Sequence, residues 1–155
     1  MDDPESFETF HLEDYEPGLT MSGGTYAVTE EEILEFGRRF DPQPFHTDPA
    51  RAADSEFGGL VAPGCLTFCI RNALLHQLPA RPALIAGLGV ENLELSHPVR
   101  AGDRLSLRST VLDRRRSRSR PDRGIVRIEY RVENQEGRTV LSMRASMLVK
   151  ARSPD

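Results

Sequence analysis

The sequence predicts an α+β domain, with one long helix packed against an antiparallel sheet. Three observations carry this. Leu66, Cys69, Ile70, Ala73, Leu74 and Leu78 recur at helical spacing, and Phe68 and Leu75 broaden their stripe. Beyond Leu84 the pattern changes to apolar–polar alternation. It runs through Leu105, Leu107 and Val111, then Val126, Ile128, Tyr130 and Val132, then Leu141, Met143, Ala145, Met147 and Val149. Turn chemistry separates these runs, at Ser96-His97-Pro98, Val99–Asp103, Pro121–Gly124 and Asn134-Gln135-Glu136-Gly137. A broad helical face followed by consecutive strands is the pattern of an α+β layer arrangement.

The elements follow in order. Residues 1–11 are acidic and read as a loose tail, and the domain runs from 12 to 155. Asp14 to Gly18 reads as a turn. Ser22-Gly23-Gly24 punctuates the approach to a short strand at Thr25–Val28. Thr29-Glu30-Glu31-Glu32 is a capping box, and Ile33, Leu34, Phe36 and Phe40 continue it on one helical face. Pro42 ends that helix. Asp48-Pro49 caps a short helix through Ala53, closed by Phe57-Gly58-Gly59. The long helix opens at Gly64 and stops before Pro79 and Pro82. The run Leu84–Leu95 is the first long strand. There is no internal repeat and no second domain.

Composition narrows the function classes. A 155-residue chain supports one ordinary core, and 28% charged residues suit a soluble protein. No apolar run approaches the roughly 20 residues of a membrane span, and Met1-Asp2-Asp3-Pro4-Glu5 is unlike a secretory signal. Cys65 and Cys69, four apart on one helical face, read as buried free thiols rather than a disulfide or a metal pair. No metal set or cofactor-binding motif is visible, and the expected setting is a reducing cytoplasm. Residues 1–37 hold eleven acids and no Lys or Arg, so the remainder carries 20 basic against 13 acidic residues, a net of +7. Arg114-Arg115-Arg116-Ser117-Arg118-Ser119-Arg120 is the densest positive stretch. It lacks interleaved aromatics in a chain that is acidic overall, which argues against nucleic acid. A solvated strand connection is the plain reading. Phosphate contact by Arg115, Arg116 and Arg118 is the functional one.

The segment Asp41-Pro42-Gln43-Pro44-Phe45-His46 carries the most chemistry. Its prolines predict a stiff, bent loop that turns a carboxylate and an imidazole toward one point. Such a pair suits the addition or elimination of water. Alone, Asp41 would read as a loop cap and His46 as an ordinary loop histidine. Eighteen residues later, Gly64 begins the long helix, where free backbone N–H groups suit a developing oxyanion.

These residues resemble the MaoC-like, (R)-specific enoyl-CoA hydratase family, whose signature runs roughly Gly-Asp-x-Asn-Pro-x-His. Asp41, Pro44 and His46 match it, while Phe40 stands in place of the glycine and Gln43 in place of the asparagine. Pro63 replaces the common histidine before the helix glycine. The likeness extends from about residue 12 over nearly the whole chain. It implies a single hot-dog fold, with the sheet wrapped around the helix. It further implies hydration of trans-2-enoyl thioesters to (R)-3-hydroxyacyl thioesters, or the reverse dehydration. Asp41 and His46 would be catalytic, with the Gly64 N–H on the thioester oxygen. Gln43 and Asn72 would support them, Asn72 by a hydrogen bond to the aspartate. The partners implied are an acyl-CoA or acyl carrier protein thioester and a second copy of the chain. A hot-dog thioesterase and a non-catalytic acyl-binding subunit are the competing readings on the same scaffold.

Overall fold

The computed structural model describes residues 7–152. Burial alternates along the strands at 104–116 and 123–133 as the sequence predicts, and less regularly along the last strand. Strand β1 is Glu8–Phe10 and β2 Thr20–Ala27. Helices α1 (Glu30–Phe40), α2 (Pro44–Thr47), α3 (Pro49–Ala53) and α4 (Gly64–Leu75) follow. Strands β3 (Ala80–Pro82), β4 (Leu84–Glu94), β5 (Arg104–Arg116), β6 (Arg123–Glu133) and β7 (Thr139–Lys150) complete the chain. Five strands form one antiparallel sheet in the order β2-β5-β6-β7-β4. Leu66, Ile70 and Leu74 of α4 share a core with Leu105, Leu107, Val126, Ile128, Val132, Leu141 and Met143. Burying that face is what drives the helix onto the sheet.

Several expectations need correction. Residues 8–10 are not loose: β1 pairs in parallel with β3, Glu8 opposite Ala80 and Phe10 opposite Pro82. Residues 1–6 of the acidic tail lie outside the described residues. Strand β2 is longer than expected because Gly23 and Gly24 do not interrupt it. They sit in a bulge between Gly23 and Tyr26, and Gly24 takes φ +78°, which a side chain would strain. Phe40 is 58% exposed, so α1 buries Ile33 and Gly37 instead of carrying its apolar face to its end.

Cys65 and Cys69 are exposed, not buried. With Asn72 and His76 they form the outer stripe of α4, because Leu66, Ile70 and Leu74 turn the opposite side to the sheet. Helix α4 also buries Thr67 and Arg71, which the apolar stripe did not include. No helix among the described residues is long and apolar enough to cross a membrane. Among the described residues strand β4 pairs with β7 alone, and Leu84, Leu88, Val90 and Leu93 are exposed beside Leu95.

Candidate active site

The site is built where α1 ends. Thr29 accepts from the Glu32 N–H to start the helix, and Asp41 closes it, donating its N–H to the Gly37 carbonyl at 2.9 Å. The chain then bends and α2 forms one helical turn, so His46 stands on a helix rather than in the expected loop. Pro44 permits this because proline at the first helical position needs no N–H and already has helical φ. The Gln43 carbonyl accepts from the His46 N–H and from Thr47 Oγ1, both at 2.9 Å. The Gln43 side chain makes no capping bond and is exposed, so the backbone is what this residue contributes here. Asp48 caps α3 by accepting from Ala50 and Arg51, as its position before Pro49 predicts.

His46 is 6% exposed, and its orientation is fixed from both sides of the ring. Nδ1 lies 2.6 Å from the Val61 carbonyl. A carbonyl only accepts, so Nδ1 carries a proton and the neutral ring presents its lone pair at Nε2. Nε2 faces Asp41 Oδ2 at 3.4 Å. In return, the Val61 N–H donates to the Phe45 carbonyl at 3.0 Å, locking α2 to the segment that leads into α4. The Phe45 ring stands edge-on to the imidazole and also meets Phe57.

Gly37 is a positioning residue that the sequence reading did not name. A Cβ there would lie 2.7 Å from the His46 carbonyl oxygen and 3.0 Å from His46 Cβ. Only glycine allows α2 to seat this closely on α1. The available signal was an isolated glycine within an otherwise helical run.

Gly64 lies three residues beyond the Val61 carbonyl that holds His46. Pro63 occupies the cap position and supplies no side-chain cap. The first N–H groups drawn into the helical turn are those of Leu66 and Thr67, both donating to the Pro63 carbonyl. The N–H groups of Gly64 and Cys65 precede that turn, as unpaired donors do at a helix start. A Cβ at Gly64 would meet Leu95 Cδ1 at 2.3 Å, so a larger residue there would force the exposed Leu95 side chain aside.

The other predicted residues lie elsewhere. Asn72 is exposed on α4 and has no hydrogen bond to Asp41 among the described residues; it lines a cavity of about 710 Å³ between α4 and the sheet. Arg115 and Arg116 belong to β5 itself, and only Arg118 falls in the connection. Arg116 binds Glu13 at 2.7 Å and the Pro121 carbonyl, while Arg114 binds Glu16 and the carbonyls of Leu12 and Glu13. Arg115 and Arg118 are exposed. The dyad belongs with the opposite end of β5, since Ala62 bonds to Val99 just before that strand begins. Thirteen residues of strand amount to roughly 40 Å of contour.

Comparison with known proteins agrees with this architecture. Residues 16–134 match the model of the MaoC like domain. The crystal structure of a MaoC-like dehydratase from Rhodospirillum rubrum superposes with a TM-score of 0.86 at 38% identity, covering 93% of this chain and 99% of that one. The unliganded R-hydratase PhaJ1 of Pseudomonas aeruginosa gives 0.72 at 26% identity, covering 92% and 86%. A mesaconyl-CoA hydratase of Haloarcula marismortui is 34% identical over 74% of this chain, which spans only 31% of that relative. The sheet and helix are those of the hot-dog fold seen in these neighbours. By matched sequence and by fold alike, the chain belongs to the MaoC-like dehydratase family.

Proposed function

We propose that this protein adds water to trans-2-enoyl thioesters to give (R)-3-hydroxyacyl thioesters, or runs the reverse dehydration, with Asp41 and His46 as the acid–base pair. The observation that carries this reading is the fixed imidazole, with Nδ1–H on the Val61 carbonyl and Nε2 turned to Asp41 Oδ2 at 3.4 Å. Two acceptors that close suit a water that donates one hydrogen to each. As the water oxygen bonds to C3, Nε2 takes a proton, and the adjacent carboxylate stabilises the imidazolium that forms. The π electrons move toward the thioester oxygen, where the Gly64 N–H donates to the developing enolate. The imidazolium then delivers its proton to C2, which completes the addition of one water and restores the dyad.

Substrate carrier and second copy belong to the same proposal. Among the described residues the β4 edge is unpaired on one side and lined with exposed apolar residues, so a second copy is the partner that suits it. Light scattering should give a dimer or higher multiple; a stable monomer at micromolar concentration would remove the partner. Arg116 is held by Glu13, which leaves Arg115 and Arg118 for carrier phosphates. Given the length of β5, they would serve the dyad of the second copy.

The test is an assay of purified protein with short, medium and branched enoyl-CoAs. Loss of enoyl absorbance without release of thiol is the expected result. Thiol release would make the protein a thioesterase, and neither change would make it a binding subunit.

A further inference from the structure

Arg71 is 7% exposed, yet no counter-ion pairs with it among the described residues. Its guanidinium lies over the rings of Phe68 and Tyr130, at 5.0 and 4.8 Å from their centroids. Its Nε has no hydrogen-bond partner, and no ion pair to it is formed among the described residues. Burial pushes its pKa down, with Tyr130 the one group opposing that shift. A cation taken out of water without an acid is among the costliest arrangements in a core, and ring faces return only part of that cost. The contrast lies within the same chain, where Arg114, Arg116, Arg123, Arg127 and Arg152 all pair with carboxylates.

Arg71 also lines the cavity of about 710 Å³, whose wall is otherwise largely apolar, with Leu75, Met147 and Ile128. Tyr130 and Ser109 add hydroxyls to it, and Arg81, whose Nε is likewise buried without a partner, adds a second guanidinium. Arg71, Asn72 and Leu75 of the second half of α4 line the cavity, and Gly64 begins the same helix. Seven residues of helix separate Gly64 from Arg71, a rise of about 10 Å, and helical side chains lean back toward the N-terminus. A short acyl chain with its thioester oxygen at Gly64 would thus bring its far end toward the guanidinium.

We infer that Arg71 is a specificity residue that pairs with a carboxylate at the distal end of a short acyl chain, so that the preferred substrates are mono-thioesters of dicarboxylic acids. The inference rests on the proposed hydratase activity and takes this cavity as the place where the acyl chain of its substrate lies. A planar guanidinium matches a carboxylate bidentately, and the ligand would supply the acid that the protein lacks. A plain alkyl chain would leave Arg71 buried and unpaired, and so would bind less well.

Binding of unreactive saturated thioesters tests this without depending on turnover. Glutaryl-CoA and pentanoyl-CoA differ in ending with a carboxylate or a methyl group. Calorimetry on the full chain should find glutaryl-CoA bound at least tenfold more tightly. Arg71→Met should abolish that preference and raise the melting temperature of the free protein by a few degrees, since it removes a buried unpaired charge. Arg71→Lys should keep part of the preference. Equal or tighter binding of pentanoyl-CoA by the parent overturns the inference alone, as does a preference that survives in Arg71→Met. Coenzyme A losing as much affinity as glutaryl-CoA in Arg71→Met would place a carrier phosphate on Arg71 and overturn it too. Failure of the parent to bind either thioester would overturn both the acyl-pocket reading and the inference. Should Arg71→Met not fold, the parent comparison and Arg71→Lys still decide.

Discussion

The two ends of β5 treat charge in opposite ways. At the Arg114–Arg116 end, cations are dense in sequence but matched by acids, with Glu13 on Arg116, Glu16 on Arg114 and Asp14 on Arg152. At the other end lies the dyad. One carboxylate and one imidazole face each other, and a backbone carbonyl decides which ring nitrogen is basic. Within the arginine run that dominates the sequence by eye, Arg114 and Arg116 clamp the N-terminal segment. The proposed chemistry sits where a group is positioned but left without a full set of partners. Surface pairs of the first kind are worth about 0–1 kcal/mol each. An oriented acid–base pair is worth orders of magnitude in rate.

Substitutions at the two ends should therefore separate cleanly. The largest effect is expected at the dyad. Asp41→Asn and His46→Gln should each lower kcat by on the order of a hundredfold or more, with little change in the melting curve. Near-normal turnover by either folded variant would erase the contrast between the ends.

Gly37→Ala should come next. Alanine gains about 1 kcal/mol of helix propensity over glycine, but the new methyl group meets the His46 carbonyl at 2.7 Å, and backbone cannot easily yield. Overpacking of that kind costs about 1–3 kcal/mol. The expected outcome is a modest loss of stability together with a fall in kcat of about tenfold or more, because His46 is displaced. A variant as active and as stable as the parent would show that α2 is not seated by this contact.

The smallest effect belongs to the clamp. For Glu13 and Asp14, burial alone would raise the carboxyl pKa values. Hydrogen bonds and the Arg116 and Arg152 charges outweigh it and hold both below their ordinary 4.5 and 3.8. A depressed carboxyl pKa contributes stability that is complete above the unfolded value and lost as pH falls through the folded one. Melting temperature should thus decline below about pH 4.5, and Glu13→Gln should flatten that decline while leaving kcat unchanged. A large loss of kcat in Glu13→Gln would join the two ends functionally and break the comparison.

Much of this was legible in the sequence, for identifiable reasons. Alternation fixed the burial of Leu105, Leu107, Val126, Ile128 and Val132, because a strand with one covered face repeats every two residues. The Asp41–His46 pairing was legible because prolines restrict the short segment between them. What escaped depends on contacts distant in sequence. The Val61 carbonyl that sets the His46 tautomer is fifteen residues away. The exposure of Cys65 and Cys69 depends on which side of α4 the sheet covers, and cysteine suits either side. Arg71 resembles any polar residue in an amphipathic helix until the rings of Phe68 and Tyr130 close over it. The Arg114–Arg116 run gave no hint that Glu13 and Glu16, about a hundred residues earlier, would neutralise part of it.

The central claim is that the dyad directs water to C3 of an enoyl thioester. The most direct test is turnover of a trans-2-enoyl-CoA in water enriched in oxygen-18, followed by mass spectrometry of the products. The account predicts the label in a 3-hydroxyl group of an intact (R)-3-hydroxyacyl thioester, and its near-disappearance with Asp41→Asn and with His46→Gln. Label in a free carboxylic acid, or unchanged labelling in either variant, would contradict it.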